Sequence, residues 1–91
     1  MTIKTGTFEI INERGLHARA SAKFVKLAQT FDSETHVSCN GETVGGTSIM
    51  GLMMLAASKG CHVTIACDGS QAEVALEALG ALIADRFGEE I

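Results

Sequence analysis

Of the three histidines in this 91-residue chain, His17 is the one at the start of a helical pattern, directly after Gly15-Leu16 and two residues before Arg19. The first turn of a helix leaves backbone N–H groups without intrahelical partners and carries about half a positive charge, so it attracts phosphate and other anions. A phosphoryl group on the His17 imidazole would lie in that field. Arg19 would add a planar set of donors suited to phosphate oxygens. The same pair is compatible with a plain capping or surface role, and residue type and spacing alone do not separate the two. His36 and His62 fall on the polar faces of strand-like runs, where nothing organises an imidazole, and they read as solvated surface residues.

A metal centre is the rival chemistry for His36, Cys39, Cys61, His62 and Cys67. Along 61–67 the two cysteines share one face and His62 takes the other, so no chelating pair arises within that strand, and no metal site is expected. The three cysteines contain no CxxC pair and read as small core residues. Residues 49–57, IMGLMMLAA, contain no polar side chain. A helix of this kind is either buried all round or apolar on an exposed side, and so small a domain with an open sheet face cannot bury the whole circumference. Methionine suits a surface that adapts to several partners, while for Met54 a gap-filling core position is equally compatible. Ser48, at the head of this segment, reads as an N-cap or as a regulatory position.

The elements that must hold these residues are visible in the periodicity. Residues 7–12 alternate Phe8 and Ile10 against Thr7 and Glu9, the pattern of a half-buried strand. Over 18–30, Phe24, Val25, Leu27 and Ala28 recur at helical spacing. In 35–44, Asn40-Gly41 separates two strand-like runs, a hairpin signal because both residues accept positive φ. A second helix over 48–57 would end at Gly60 in the left-handed conformation. Cys61, Val63, Ile65 and Cys67 alternate with His62, Thr64 and Ala66 in a fourth strand. Ser70 and Glu73 form a capping-box pattern ahead of Ala72, Leu76, Leu79, Leu82, Ile83 and Phe87, which form the apolar stripe of a third helix. The order strand, helix, strand, strand, helix, strand, helix predicts an α+β fold. It would be an open-faced β-sandwich, a four-stranded, largely antiparallel sheet with three helices on one face. Residues 1–91 are expected to form one domain around one core.

Composition narrows the function. A hydrophobic share of 46% opposes disorder, and a net charge of -4, from 7 Lys+Arg against 11 Asp+Glu, opposes a nucleic-acid surface. The longest apolar runs fall short of the ~20 residues that cross a bilayer, and Met1 is not followed by a charged-then-apolar leader. A soluble cytoplasmic protein that binds neither nucleic acid nor membrane is expected. Charge is uneven: four of the seven basic residues, Arg14, Arg19, Lys23 and Lys26, fall in one 13-residue window, whereas 68–91 holds six acids and one base. The latter reads as a solvated acidic face.

The run Gly15-Leu16-His17-Ala18-Arg19-Ala20-Ser21-Ala22-Lys23-Phe24-Val25, followed by Thr47-Ser48-Ile49-Met50-Gly51-Leu52-Met53, resembles HPr, the histidine phosphocarrier family of the phosphoenolpyruvate-dependent phosphotransferase system. The resemblance covers nearly the whole chain in order and spacing. It implies a carrier that accepts a phosphoryl group from phospho-enzyme I on Nδ1 of His17 and passes it to EIIA-type proteins or domains. By the same resemblance His17 and Arg19 do the chemistry, backbone donors at Ala18 and Arg19 hold the phosphate, and Ser48 is the regulatory position. Ile49, Met50 and Met53, ringed by Lys23 and Lys26, would dock acidic-rimmed partners. No cofactor is implied, and the protein would be a carrier intermediate in a transferase relay rather than an enzyme.

Two departures from the family pattern bear on these roles. Ala20 stands where many members have proline, which restores a backbone N–H in the first helical turn. Thr47 stands where many have a lysine before the regulatory serine, which bears on recognition by HPr kinase/phosphorylase. The runs GLHARASAKFV and GGTSIMGLMMLAA look closer to HPr-like proteins of Gram-negative bacteria, which include the nitrogen-related NPr branch. Sugar uptake and nitrogen-related regulation therefore both stay open. The alternative of a different class is a non-catalytic regulatory module on the same fold, signalling through protein contacts, which could dispense with His17.

Overall fold

The computed structural model describes residues 3–91. Its elements follow in the expected order: β1 (Ile3–Glu9), α1 (Ala18–Ala28), β2 (Glu34–Cys39), β3 (Glu42–Gly45), α2 (Ile49–Met54), β4 (His62–Asp68), α3 (Ala72–Ala84) and a short 3₁₀ turn at Arg86–Gly88. The strands form one sheet in the order β1-β4-β2-β3, and every neighbouring pair is antiparallel. This is the α+β open-faced sandwich. Alternation along the strands turns Val37, Cys39, Val63, Ile65 and Cys67 into the core, where they meet Phe24, Leu52 and Leu79 from the helices. Burial of each large apolar side chain contributes about 1.5–3 kcal/mol, which sets where the helices must sit. Among the described residues no helix is long and apolar enough to cross a membrane.

The hairpin forms as expected, with Cys39 opposite Glu42 and both Asn40 (φ 51°) and Gly41 (φ 84°) at positive φ. This is the two-residue turn whose twist matches that of the strands. Other boundaries differ from the periodicity. β1 is not 7–12. It begins by Ile3 and ends at Glu9, because its span is set by pairing with β4, Ile3 against Asp68 through Glu9 against His62. α1 stops at Ala28, two residues early, and Thr30 donates both its hydroxyl, at 2.7 Å, and its backbone N–H, at 3.0 Å, to the carbonyl of Leu27. α2 ends at Met54 rather than Ala57, and Ala56 (φ 52°), not Gly60, takes the left-handed conformation that ends it. That turn lets the Ala57 carbonyl accept the Leu16 N–H at 2.9 Å. The capping box before α3 does not form. Ser70 gives its hydroxyl to the Asp32 carboxylate, Gln71 occupies the cap position without a side-chain cap bond, and Phe87 lies beyond the helix in the 3₁₀ turn.

Candidate functional site

His17 is placed by the backbone ahead of it. Gly15 adopts φ +64°, and a Cβ there would come within 2.4 Å of the Ala57 carbonyl oxygen, so the loop before α1 can press against the end of α2 only at glycine. Leu16 is buried, and the next residue, His17, is extended (φ -80°, ψ -178°) and caps α1. Its Nδ1 accepts the Arg19 backbone N–H at 3.3 Å, while the first intrahelical bond runs from the Ser21 N–H to the His17 carbonyl at 2.9 Å. The N–H of the exposed Ala18 precedes any possible i−4 acceptor within the helix and is available to an anion, whereas Ala20, which restores an N–H to this turn, is fully buried.

The other ring nitrogen, Nε2, is engaged by Oε2 of Glu89. Oε1 of the same carboxylate accepts from the Asn12 side-chain amide at 3.0 Å, and that amide also donates to the Gly15 carbonyl at 3.0 Å. Asn12 is fully buried. Burial alone pushes the Glu89 carboxyl up, but the hydrogen bonds from Asn12 and His17, with the charges of His17 and Arg14, outweigh it and hold the group below its ordinary value. Arg14 and Arg19 line one open cleft of about 220 Å³ with Glu89, Glu90 and Ile91.

Glu89 reaches His17 because the chain doubles back after α3. Arg86 and Phe87 both adopt φ 54°, a left-handed conformation that is costly for residues with side chains, about 1–3 kcal/mol each. Phe87 is fully buried, and its carbonyl accepts Lys23 Nζ at 2.7 Å. The Glu13 N–H donates to the Ile91 carbonyl at 3.2 Å, which secures the tail on its other side.

The remaining expected site residues fall into two groups. Ser48 caps α2, its Oγ accepting the Gly51 N–H at 2.9 Å. On α2 and its C-cap, Leu52 and Leu55 are buried whereas Ile49, Met50, Met53 and Met54 are exposed, which settles Met54 as a surface residue. Lys23 and Lys26 line a groove with Leu27, Thr30 and Leu82 between α1 and α3. His36 and His62 are exposed on the strands, far along the chain from any helix start. Sequence reasoning did not find Asn12, Arg14 or Glu89. Arg14 carried a signal in the basic window, but Asn12 and Glu89 meet across 77 residues and no local pattern marks that pairing.

Comparison with known proteins agrees with this geometry. The family profile described as PTS HPr component phosphorylation site matches residues 4–85. The chain is 56% identical over 80 residues to phosphocarrier protein HPr of Cupriavidus necator, covering 88% of this chain and 90% of that protein. It is 52% identical over 83 residues to phosphocarrier protein HPr of Neisseria meningitidis, covering 91% and 93%. The crystal structure of HPr-C-His from Thermoanaerobacter tengcongensis superposes with a TM-score of 0.92 at 43% identity, covering 97% of this chain and 99% of that one.

Proposed function

The chain belongs to the HPr family, the phosphocarriers of the phosphoenolpyruvate-dependent phosphotransferase system, and on that footing we propose that its one domain, residues 1–91, takes a phosphoryl group from phospho-enzyme I onto Nδ1 of His17 and hands it to an EIIA-type protein. The observation that carries this reading is the position of Nδ1. It accepts a backbone N–H at the head of α1, so its lone pair faces the positive end of the helix. In the forward step that lone pair forms the bond to phosphorus while the bond between phosphorus and the donor breaks, its electrons returning to the donor. The Arg19 N–H, released from Nδ1, turns to a phosphate oxygen beside the Ala18 N–H, and the Arg19 guanidinium meets the charge on the remaining oxygens. Transfer onward reverses these events with the acceptor in the donor's place.

Because phosphoryl transfer leaves little covalent work to the protein, positioning carries the reaction, and the protein acts as a carrier that is itself modified in each half-cycle. Ile49, Met50 and Met53 form the apolar docking patch, and Lys26 is the basic residue left for acidic-rimmed partners, Lys23 being bonded to the Phe87 carbonyl. Ser48 is the control position at the mouth of that patch.

Incubation with enzyme I, phosphoenolpyruvate and Mg²⁺, followed by intact mass measurement and acid treatment, tests the reading. A gain of one acid-labile phosphoryl group is expected. A protein that binds enzyme I yet gains no phosphate is instead the regulatory module. Parallel onward transfer to EIIA proteins of the sugar and nitrogen-related branches then assigns the branch.

A further inference from the structure

We propose that Asn12 and Glu89 act as a positioning pair for His17: Asn12 holds the Glu89 carboxylate, and Glu89 holds the imidazole in the tautomer with hydrogen on Nε2, leaving Nδ1 free to react. The inference rests on the phosphocarrier reading above and names two residues that reading does not use. An ionised carboxylate can only accept, so Nε2, facing Oε2 of Glu89, must be the donor. Nδ1 accepts the Arg19 N–H at 3.3 Å and so carries no hydrogen. Two independent contacts thus require the same tautomer.

Asn12 is oriented with equal constraint. Its amide nitrogen lies 3.0 Å from both the Gly15 carbonyl and Oε1 of Glu89, two acceptors, so a flipped side chain would set oxygen against oxygen. Its own Oδ1 is buried with no hydrogen-bond partner among the described residues. A buried asparagine that leaves its carbonyl unpaired is poor structural material, and its two donor contacts lead to the loop that carries His17 and to the group that holds the ring. The tail makes the same argument. Consecutive left-handed Arg86 and Phe87 are strained, and what that turn delivers is Glu89 over His17.

As the Nδ1–phosphorus bond forms and the donor's bond to phosphorus breaks, no proton leaves the ring. Nε2 keeps its hydrogen, the imidazole gains positive charge, and the facing carboxylate attracts it more strongly than in the resting protein. Neither residue touches the phosphoryl group, so both act through His17.

The test combines ring ¹⁵N NMR of histidine-labelled protein with single-turnover phosphorylation by phospho-enzyme I. In the unaltered protein neutral His17 should carry its hydrogen on Nε2. Glu89→Ala should give mixed tautomers and slow transfer about tenfold, the difference expected for losing a charge-assisted contact, with little change in apparent affinity for enzyme I. Asn12→Ala should slow transfer in the same direction, and the double variant should be no slower than Glu89→Ala alone. An unchanged tautomer and rate in Glu89→Ala overturns the proposal while leaving His17 as the carrier. If Asn12→Ala fails to fold, Glu89→Gln replaces it: the neutral amide should slow transfer less than Glu89→Ala, and a rate equal to the unaltered protein's overturns the role of the charge. If the unaltered protein takes up no phosphate, the carrier reading fails, and the tautomer measurement still decides whether Glu89 holds the ring.

Discussion

Lys23 donates from Nζ to the carbonyl of Phe87 at 2.7 Å, so a lysine of the basic window on α1 is spent inside the molecule, holding the turn that follows α3. Its neighbour Lys26, on the same groove, makes no such bond among the described residues. The two lysines should therefore separate. Lys23→Ala is expected to lower stability by about 1–2 kcal/mol, as loss of a charge-assisted hydrogen bond does, whereas Lys26→Ala should leave the urea midpoint nearly unchanged and weaken partner binding at low salt. Denaturation curves and titration with enzyme I on both variants check this.

His17→Ala should remain folded and accept no acid-labile phosphate, while His36→Ala and His62→Ala accept it normally. Arg19→Ala should slow transfer by the equivalent of roughly 1.5–3 kcal/mol with a much smaller change in stability, since Arg19 is exposed and, in the proposed role, its guanidinium serves the phosphate. Mass spectrometry and rate measurements on the four variants decide; normal rates for Arg19→Ala in both directions would remove it from the site.

Ser48→Asp keeps a capping oxygen for the Gly51 N–H and adds a negative charge at a helix start. The melting temperature should stay equal or rise, by the equivalent of about 0.3–1 kcal/mol, while affinity for enzyme I falls because the charge faces the apolar patch. Calorimetric titration alongside thermal melts reads both. Undiminished affinity reduces Ser48 to a cap.

On α2, Leu52 is fully buried and Met53 is 42% exposed, so equal-looking apolar residues should respond oppositely. Leu52→Ala should cost about 2–5 kcal/mol by emptying a core site. Met53→Glu should cost far less and impair transfer with both upstream and downstream proteins. If Met53→Glu unfolds the protein, the docking patch lies elsewhere around His17.

The Glu89 carboxyl titrates below its ordinary value in the folded protein, burial's upward push being outweighed by Asn12, His17 and Arg14. A group depressed in this way stabilises the fold fully above its unfolded value of about 4.3 and loses that contribution as pH falls through the lower folded value. The stability gap between the unaltered protein and Glu89→Gln should stay constant at pH values above about 5 and close as the pH falls below about 4.3. Urea midpoints across that range measure it, and a gap that widens with acidification contradicts the assignment.

Element order, sheet type and the Asn40-Gly41 turn were legible in the sequence because each is written in neighbours a few residues apart: alternation, helical spacing, a turn dipeptide. Boundaries were less so. β1 extends over Lys4-Thr5-Gly6, which carry no alternation, because β4 supplies the partner. Ser70 and Glu73 spelled a cap that Asp32 pre-empted by taking the serine hydroxyl. Local hydrogen-bonding preferences are worth about a kilocalorie or less, and a tertiary partner overrides them at that scale.

By itself the sequence determined that an imidazole stands at the head of α1 with an arginine two residues on, since a helix start and its field follow from local backbone geometry alone. Only the tertiary structure decided which ring nitrogen meets a carboxylate and which accepts a backbone N–H. That depends on Glu89 meeting Nε2 and on Asn12 holding Glu89, contacts spanning 72 and 77 residues. They exist because Phe87 is buried and turns the tail back over the site. A hydrogen bond is directional and acts over about 3 Å, so the tautomer is a property of where distant segments come to rest, which no spacing along the chain encodes.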